Sequence, residues 1–102
     1  VTVFCPHTTA GLTVNENADP DVRRDLTTFL NRTIPQEAGY AHSEGNSDAH
    51  IKSTLTNSAQ LLIVESGEVM LGTWQGLFFM EYDGPRSREI WLQFTGTHAT
   101  AD

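Results

Sequence analysis

The sequence predicts an α+β domain: a mostly antiparallel β-sheet or sandwich carrying two helices. Three observations lead there. Two short β-rich segments open the chain, two helical segments follow as a block, and four strand-like segments run to the end. Segregated blocks of this kind build α+β folds, whereas alternating strands and helices build parallel sheets. The 102 residues suit a single domain, residues 1–102, and a 38% apolar share suits a packed globule.

The first segment, "VTVFCP", is β-branched and aromatic, and Pro6 ends it. The chain opens directly on this strand, so residues ahead of Val1, and with them part of the sheet, are expected to be missing. The second strand is "GLTVNE", with Leu12 and Val14 on one face. The period then changes. In "DPDVRRDLTTFLNRTIP" the apolar residues Val22, Leu26, Phe29 and Leu30 form one helical stripe. Asp19 is placed to cap this helix, Pro20 to open it, Asp21 to meet its dipole and Pro35 to stop it.

Residues 36–47 read as a loop. "SDAHIKSTL" reads as a short second helix, capped by Ser47 or Asp48 and turning Ile51 and Leu55 to the core. "AQLLIVES" reads as one buried strand. Ser66-Gly67 is a tight turn, and "EVML" returns as the second arm of a hairpin. "GLFFMEYD" and "SREIWLQFTG" are two more strands on either side of the turn "GPR", and "THATAD" reads as a frayed end.

Composition narrows the partners. Net charge is −7 and the pI about 4.8, a poor match for nucleic-acid phosphates or anionic lipid. No apolar run is long enough to span a membrane. The one cysteine, Cys5, rules out an intrachain disulfide and suits a reducing, cytoplasmic setting. It reads as a buried, inert side chain, because a Cys5–His7 nucleophile would need a third orienting group that the sequence does not name.

Three constellations carry chemistry. The first is "HTTAGLTVNENADPD", which places His7 and Thr8 after a strand and crowds Asn15, Glu16, Asn17 and Asp19 before a helix N-terminus. Such an end offers free N–H groups to an anion, although turns and caps explain Asn17 and Asp19 as well. The second is "HSEGNSDAH". Gly45 and Asn46 suit a turn, with Asn46 also able to reach a ligand, and Ser47 and Asp48 suit a cap; His42 and His50 have no comparable structural role. His7, His42 and His50 together would suit zinc, but neither HExxH nor a CxxC pair is present, so spacing alone signals a metal weakly. The third is "GTWQGLFFMEYDGPRSRE". Trp74 and Gln75 lie between glycines, while Arg86 and Arg88 either grip a phosphate or pair with Glu81 and Asp83.

"HTTAGLTVNENADPDVRRDL", "HSEGNSDAHIKSTL" and "GTWQGLFFMEYDGPRSREIWLQFTG" together resemble the YjbQ family, also labelled secondary thiamine-phosphate synthase, from His7 to Gly96. The resemblance implies a homotrimer of compact α+β subunits and a site around His7, His42 and His50, with a divalent metal suspected. It also implies an enzyme that joins a pyrimidine diphosphate to a thiazole phosphate and releases pyrophosphate, as a weak side activity; the alternative is a non-catalytic metal- or phosphate-ligand-binding trimer. For the enzyme, His7, His42, His50, Glu16 and Arg88 are the catalytic candidates. Thr8, Asn15, Asn17, Asp19, Asn46, Lys52, Trp74 and Gln75 are the ligand-binding candidates. Zinc suits three imidazoles, magnesium suits a diphosphate, and the expected partner is a small phosphorylated molecule, with no nucleic acid and no membrane. Two departures stand out. Only six residues precede "HTTA", and Asn57 stands where a glycine often ends the second helix, a mild change because asparagine also tolerates a left-handed cap.

Overall fold

The computed structural model describes residues 1–96; the terminal "THATAD" lies outside the described residues. The elements run β1 (Thr2–Phe4), β2 (Ala10–Glu16), α1 (Pro20–Thr33), α2 (Ser47–Leu55), β3 (Ala59–Leu61), β4 (Ile63–Glu65), β5 (Glu68–Met70), β6 (Gln75–Glu81) and β7 (Trp91–Gln93). All strand pairs are antiparallel: a three-stranded sheet in the order β3-β1-β7, a β2-β6 pair and a β4-β5 pair. This is the α+β class that the segregated pattern predicts.

The core lies where β1, β2 and the residue after β3 meet. Val3, Cys5, Ala10, Leu12 and Leu62 are buried together, with Val1, Val14 and Phe79 packed against them. The "AQLLIVES" segment is two strands and not one. Leu62 turns into the core and exchanges backbone hydrogen bonds with Val1, donating to its carbonyl at 2.9 Å and accepting from its amino group at 2.8 Å. That pins β3 to β1 and frees β4 to pair with β5, whose residues are exposed. The hairpin turn has φ 52° at Ser66 and 78° at Gly67, the twin positive angles that suit the twist of two antiparallel strands.

α1 has the ends its sequence dictates. Asp19 Oδ1 accepts the Asp21 N–H at 2.9 Å, and Ile34 caps the far end before Pro35. Its stripe does face the sheet, but across an open cleft of about 600 Å³ lined by Val22, Leu26, Phe29 and Leu30 on one side and Leu55 and Met80 on the other. None of its residues is fully buried.

α2 departs from expectation in two ways. Its N-cap is Asn46, whose side chain makes no capping bond, so neither Ser47 nor Asp48 is the cap. Its buried face is Asp48, Ala49 and Lys52, while Ile51 and Leu55 are exposed. The physical reason is close approach to β2. Ala49 is fully buried, Ser53 Oγ donates to the Ala10 carbonyl at 2.8 Å, and Lys52 and Asp48 neutralise each other inside at 3.0 Å. Gly11 serves the same contact, since a Cβ there would sit 2.3 Å from Thr56 Oγ1. Thr56 ends the helix in extended conformation, and Asn57 bridges to Leu12 instead of taking a left-handed cap.

Candidate functional site

His7 follows β1 across Pro6, His42 stands in the loop before α2, and His50 lies in the first turns of α2. The three line one pocket of about 400 Å³, together with Asn46, Arg86 and Arg88. The link between β1 and β2 carries His7, and the close packing of α2 on β2 brings His50 beside it. The His42 and His50 rings meet edge to face with centroids 5.4 Å apart. Glu44 Oε2 lies 3.9 Å from His42 Nε2.

His7 has a fixed orientation. Its Nε2 lies 2.9 Å from the Glu89 backbone nitrogen and 3.2 Å from the Glu89 carbonyl oxygen, so it accepts from the N–H in one tautomer and donates to the carbonyl in the other. The arrangement of donors also tests the metal expectation. Among the described residues, no group of three or more His, Cys, Asp or Glu side chains converges so as to hold an ion. Magnesium needs oxygen ligands, and the pocket wall supplies one carboxylate, Glu44. The residues in this arrangement do not fit the three-histidine metal centre, and no chemistry is routed through one.

The arginines form the ion-pair network that was the alternative to phosphate binding. Arg88 makes a two-pronged contact with Glu81, through Nε to Oε1 at 2.7 Å and Nη2 to Oε2, and Nη2 also reaches Thr9 Oγ1 at 3.0 Å. The Arg88 guanidinium holds the Glu81 carboxyl below the usual carboxylate range, and the carboxylate in turn raises the Arg88 pKa. Arg88 is therefore a clamp between β6 and the start of β2. Arg86 pairs with Asp83 through Nη2 at 2.8 Å and Nε to its carbonyl at 2.9 Å, which leaves Nη1 uncommitted at the pocket.

Behind Asn46 lies a buried polar network. Lys52 Nζ donates to Asp48 Oδ2 at 3.0 Å and Asn31 Oδ1 at 2.9 Å, so it ties α2 to α1 and is not a free anion contact. Asn46 Nδ2 donates to Asp83 Oδ2 at 2.8 Å, while Asn46 Oδ1 and the Tyr82 hydroxyl are buried without a partner. Burial pushes the Tyr82 pKa up; Thr56 acts the other way, although no hydrogen bond of good geometry joins them. An unpaired buried polar atom costs about 1–3 kcal/mol, which makes these two atoms exceptions in need of a reason.

The sequence-predicted residues thus divide into two groups. His7, Thr8, His42, Asn46, His50 and Arg88 meet at the pocket, with Lys52 behind it. Asn15, Glu16, Asn17, Asp19, Trp74 and Gln75 lie at the other end of the β2-β6 ladder. The register pairs Ala10 with Glu81 beside the histidines and Glu16 with Gln75 at the far end, six residue steps or about 20 Å away. Several of the second group have local roles. Asp19 caps α1, Asn15 Oδ1 accepts the Glu16 N–H, Gln75 Oε1 accepts the Gly72 N–H, and Asn17 packs over Gly76, where a Cβ would come within 2.8 Å. Trp74 is 63% exposed. Within one chain, Glu16, Trp74 and the α1 N-terminus do not share a site with the histidines. Thr9, Tyr82 and Asp83 buttress the pocket and are not among the sequence-predicted site residues; for the last two the signal in the sequence is the run "MEYD" just before "GPR".

The family model described as "UPF0047 protein YjbQ-like" matches residues 1–97. UPF0047 protein MJ1081 of Methanocaldococcus jannaschii is 53% identical over 94 residues, covering 92% of this chain and 68% of its own length. UPF0047 protein YugU of Bacillus subtilis is 48% identical over 95 residues, covering 92% and 72%. Among solved structures, an uncharacterized YjbQ/UPF0047-family protein of Clostridium acetobutylicum superposes with TM-score 0.84 at 57% identity, covering 88% of this chain and 70% of its own. The conserved hypothetical protein TT1486 of Thermus thermophilus superposes with TM-score 0.85 at 50% identity, covering 88% and 72%. These relatives are described by family label or as uncharacterised, and none as a thiamine-phosphate synthase. That corrects the synthase function, and the missing convergence of metal ligands corrects the metal site that went with it.

Proposed function

The chain belongs to the YjbQ-like UPF0047 family, and on that premise we propose that its imidazole-walled pocket binds a small molecule through an oxyanion and exchanges a proton with it. One observation carries the reading: three histidines from three separate chain segments line one pocket beside an uncommitted arginine nitrogen. Imidazole is a donor in both charge states and a proton acceptor when neutral, so three around one cavity suit a ligand that gains or loses a proton.

A phosphorylated or carboxylated small molecule fits these donors. Among the described residues, no helix is long and apolar enough to cross a membrane. The single buried Cys5 supports a cytoplasmic setting. The exposed Ile63, Met70, Trp91 and Leu92 support association of copies, as in the homotrimer that the resemblance implies. Calorimetric titration with inorganic phosphate and with acetate tests the binding. His42→Ala and His50→Ala should each weaken the better of the two anions by about tenfold, the worth of one charge-assisted hydrogen bond. Binding unchanged in both variants would remove the reading.

A further inference from the structure

The loop that carries His42 into the site has one buried anchor. Of residues 36–46, Asn46 alone is buried; Tyr40 is half-buried, and the rest, His42 and Glu44 among them, are exposed. Tyr40 bonds within its own segment, its hydroxyl donating to the Pro35 carbonyl at 2.7 Å. Among the described residues, one side-chain hydrogen bond ties this loop to a distant segment: Asn46 Nδ2 donates to Asp83 Oδ2 at 2.8 Å. The same oxygen accepts from Arg86 Nη2 at 2.8 Å, and the Asp83 carbonyl accepts from Arg86 Nε at 2.9 Å. Asn46 and Arg86 stand on the wall of the imidazole pocket, and Asp83 lies behind that wall. A single carboxylate oxygen outside the pocket thus joins two parts of its lining.

We propose that Asp83 is the positioning residue of this pocket: its Oδ2 holds the His42 loop, through Asn46, in register with Arg86, so that imidazole and guanidinium close on one oxyanion. This rests on the oxyanion reading of the pocket and adds what keeps its two sides together. The other histidines do not need the tie. His50 rides on α2, which is held by the buried Ala49, by Lys52 on Asn31 and by Ser53 on the Ala10 carbonyl. His7 is bonded to the Glu89 backbone. His42 has only the edge of the His50 ring and Glu44, from its own loop, at 3.9 Å. An exposed segment with few buried contacts opens at low cost, so the loss of its one anchor falls on His42 first.

Two charge-matched comparisons test this, each read by calorimetric titration with inorganic phosphate and with acetate. Asp83→Asn and Asp83→Ala remove the same charge, but only asparagine keeps an oxygen that can accept from Asn46 and Arg86. Its amide nitrogen would take the place of Oδ1, which meets no donor among the described residues. Asp83→Asn should therefore bind the better of the two anions at least as tightly as the wild-type chain. Asp83→Ala should bind it about tenfold more weakly than Asp83→Asn, a usual coupling within one hydrogen-bond network. Asn46→Ala breaks the tie from the other side and leaves the charge unchanged. It also removes an Oδ1 that has no partner, so it should fold, and it should bind about tenfold more weakly than wild type. In both alanine variants the nuclear Overhauser contact between the His42 and His50 rings should be lost while those between α2 and β2 persist, a split that general destabilisation would not give. Alanine variants that bind as tightly as their charge-matched partners would overturn the proposal. If they do so while His50→Ala still weakens the anion, only the positioning role fails. If neither anion binds the wild-type chain, both readings fail.

Discussion

The two helices differ in what their sequences promise and what they bury. α1 carries the clear apolar stripe, good caps and a proline start, yet Phe29 remains 63% exposed and no residue is fully buried. α2 has a weak stripe and no side-chain cap, yet it buries a lysine, an aspartate and an alanine against β2 and beside the candidate site. The difference teaches that capping decides where a helix starts, while close approach and paired charge decide which face goes inward. The helix that matters for chemistry is the one held by polar contacts.

That contrast can be broken most sharply at Lys52. Replacing it by methionine leaves Asp48 buried without its partner, and chemical denaturation should show a loss of about 3–5 kcal/mol. A methionine variant as stable as wild type would mean that the pair does not hold α2 in place. The next effect concerns the clamp that closes the pocket end of the β2-β6 ladder. Glu81→Gln should cost about 1–2 kcal/mol at neutral pH, discounted because the pair is partly solvated. The folded-state pKa of Glu81 is lowered from 4.5, chiefly by the hydrogen bond from Arg88. A depressed carboxylate stabilises the fold above its unfolded pKa, and the contribution is lost as pH falls through the folded one. Melting curves of wild type and variant should therefore converge below pH 4.5.

On α1 the effects should be smaller. Asp19→Ala removes the cap bond to Asp21 and should lower stability by about 1 kcal/mol, read by thermal melting. Phe29→Ser, on the same helix but largely in solvent, should change stability by about 0.5 kcal/mol or less, in spite of its place in the stripe. A loss of several kcal/mol there would mean that α1 closes onto the sheet in solution.

Local chemistry made much of the fold legible. Asp19-Pro20 and Pro35 bound α1, Ser66-Gly67 marks a hairpin, and segregated helices and strands give the class. What was hidden depended on contacts between distant segments. Leu62 divides one apolar run into two strands because its backbone pairs with Val1. The buried face of α2 has no hydropathy signal, because Lys52 and Asp48 are apolar to their surroundings only as a pair. The site was legible as three histidines of a family motif, but their convergence depends on the packing of α2, with its buried Ala49, on β2. Glu16 and Trp74 share those motifs and still lie a full ladder away, since motif order along a chain does not fix distance across a sheet.

The central claim is that His7, His42 and His50 serve one ligand. Imidazole nitrogen resonances, followed by NMR during titration with inorganic phosphate, test it most directly. The three rings should shift together along one binding curve, and His50→Ala should move the response of the other two to about tenfold higher phosphate. Rings that titrate independently, or only one that responds, would contradict it.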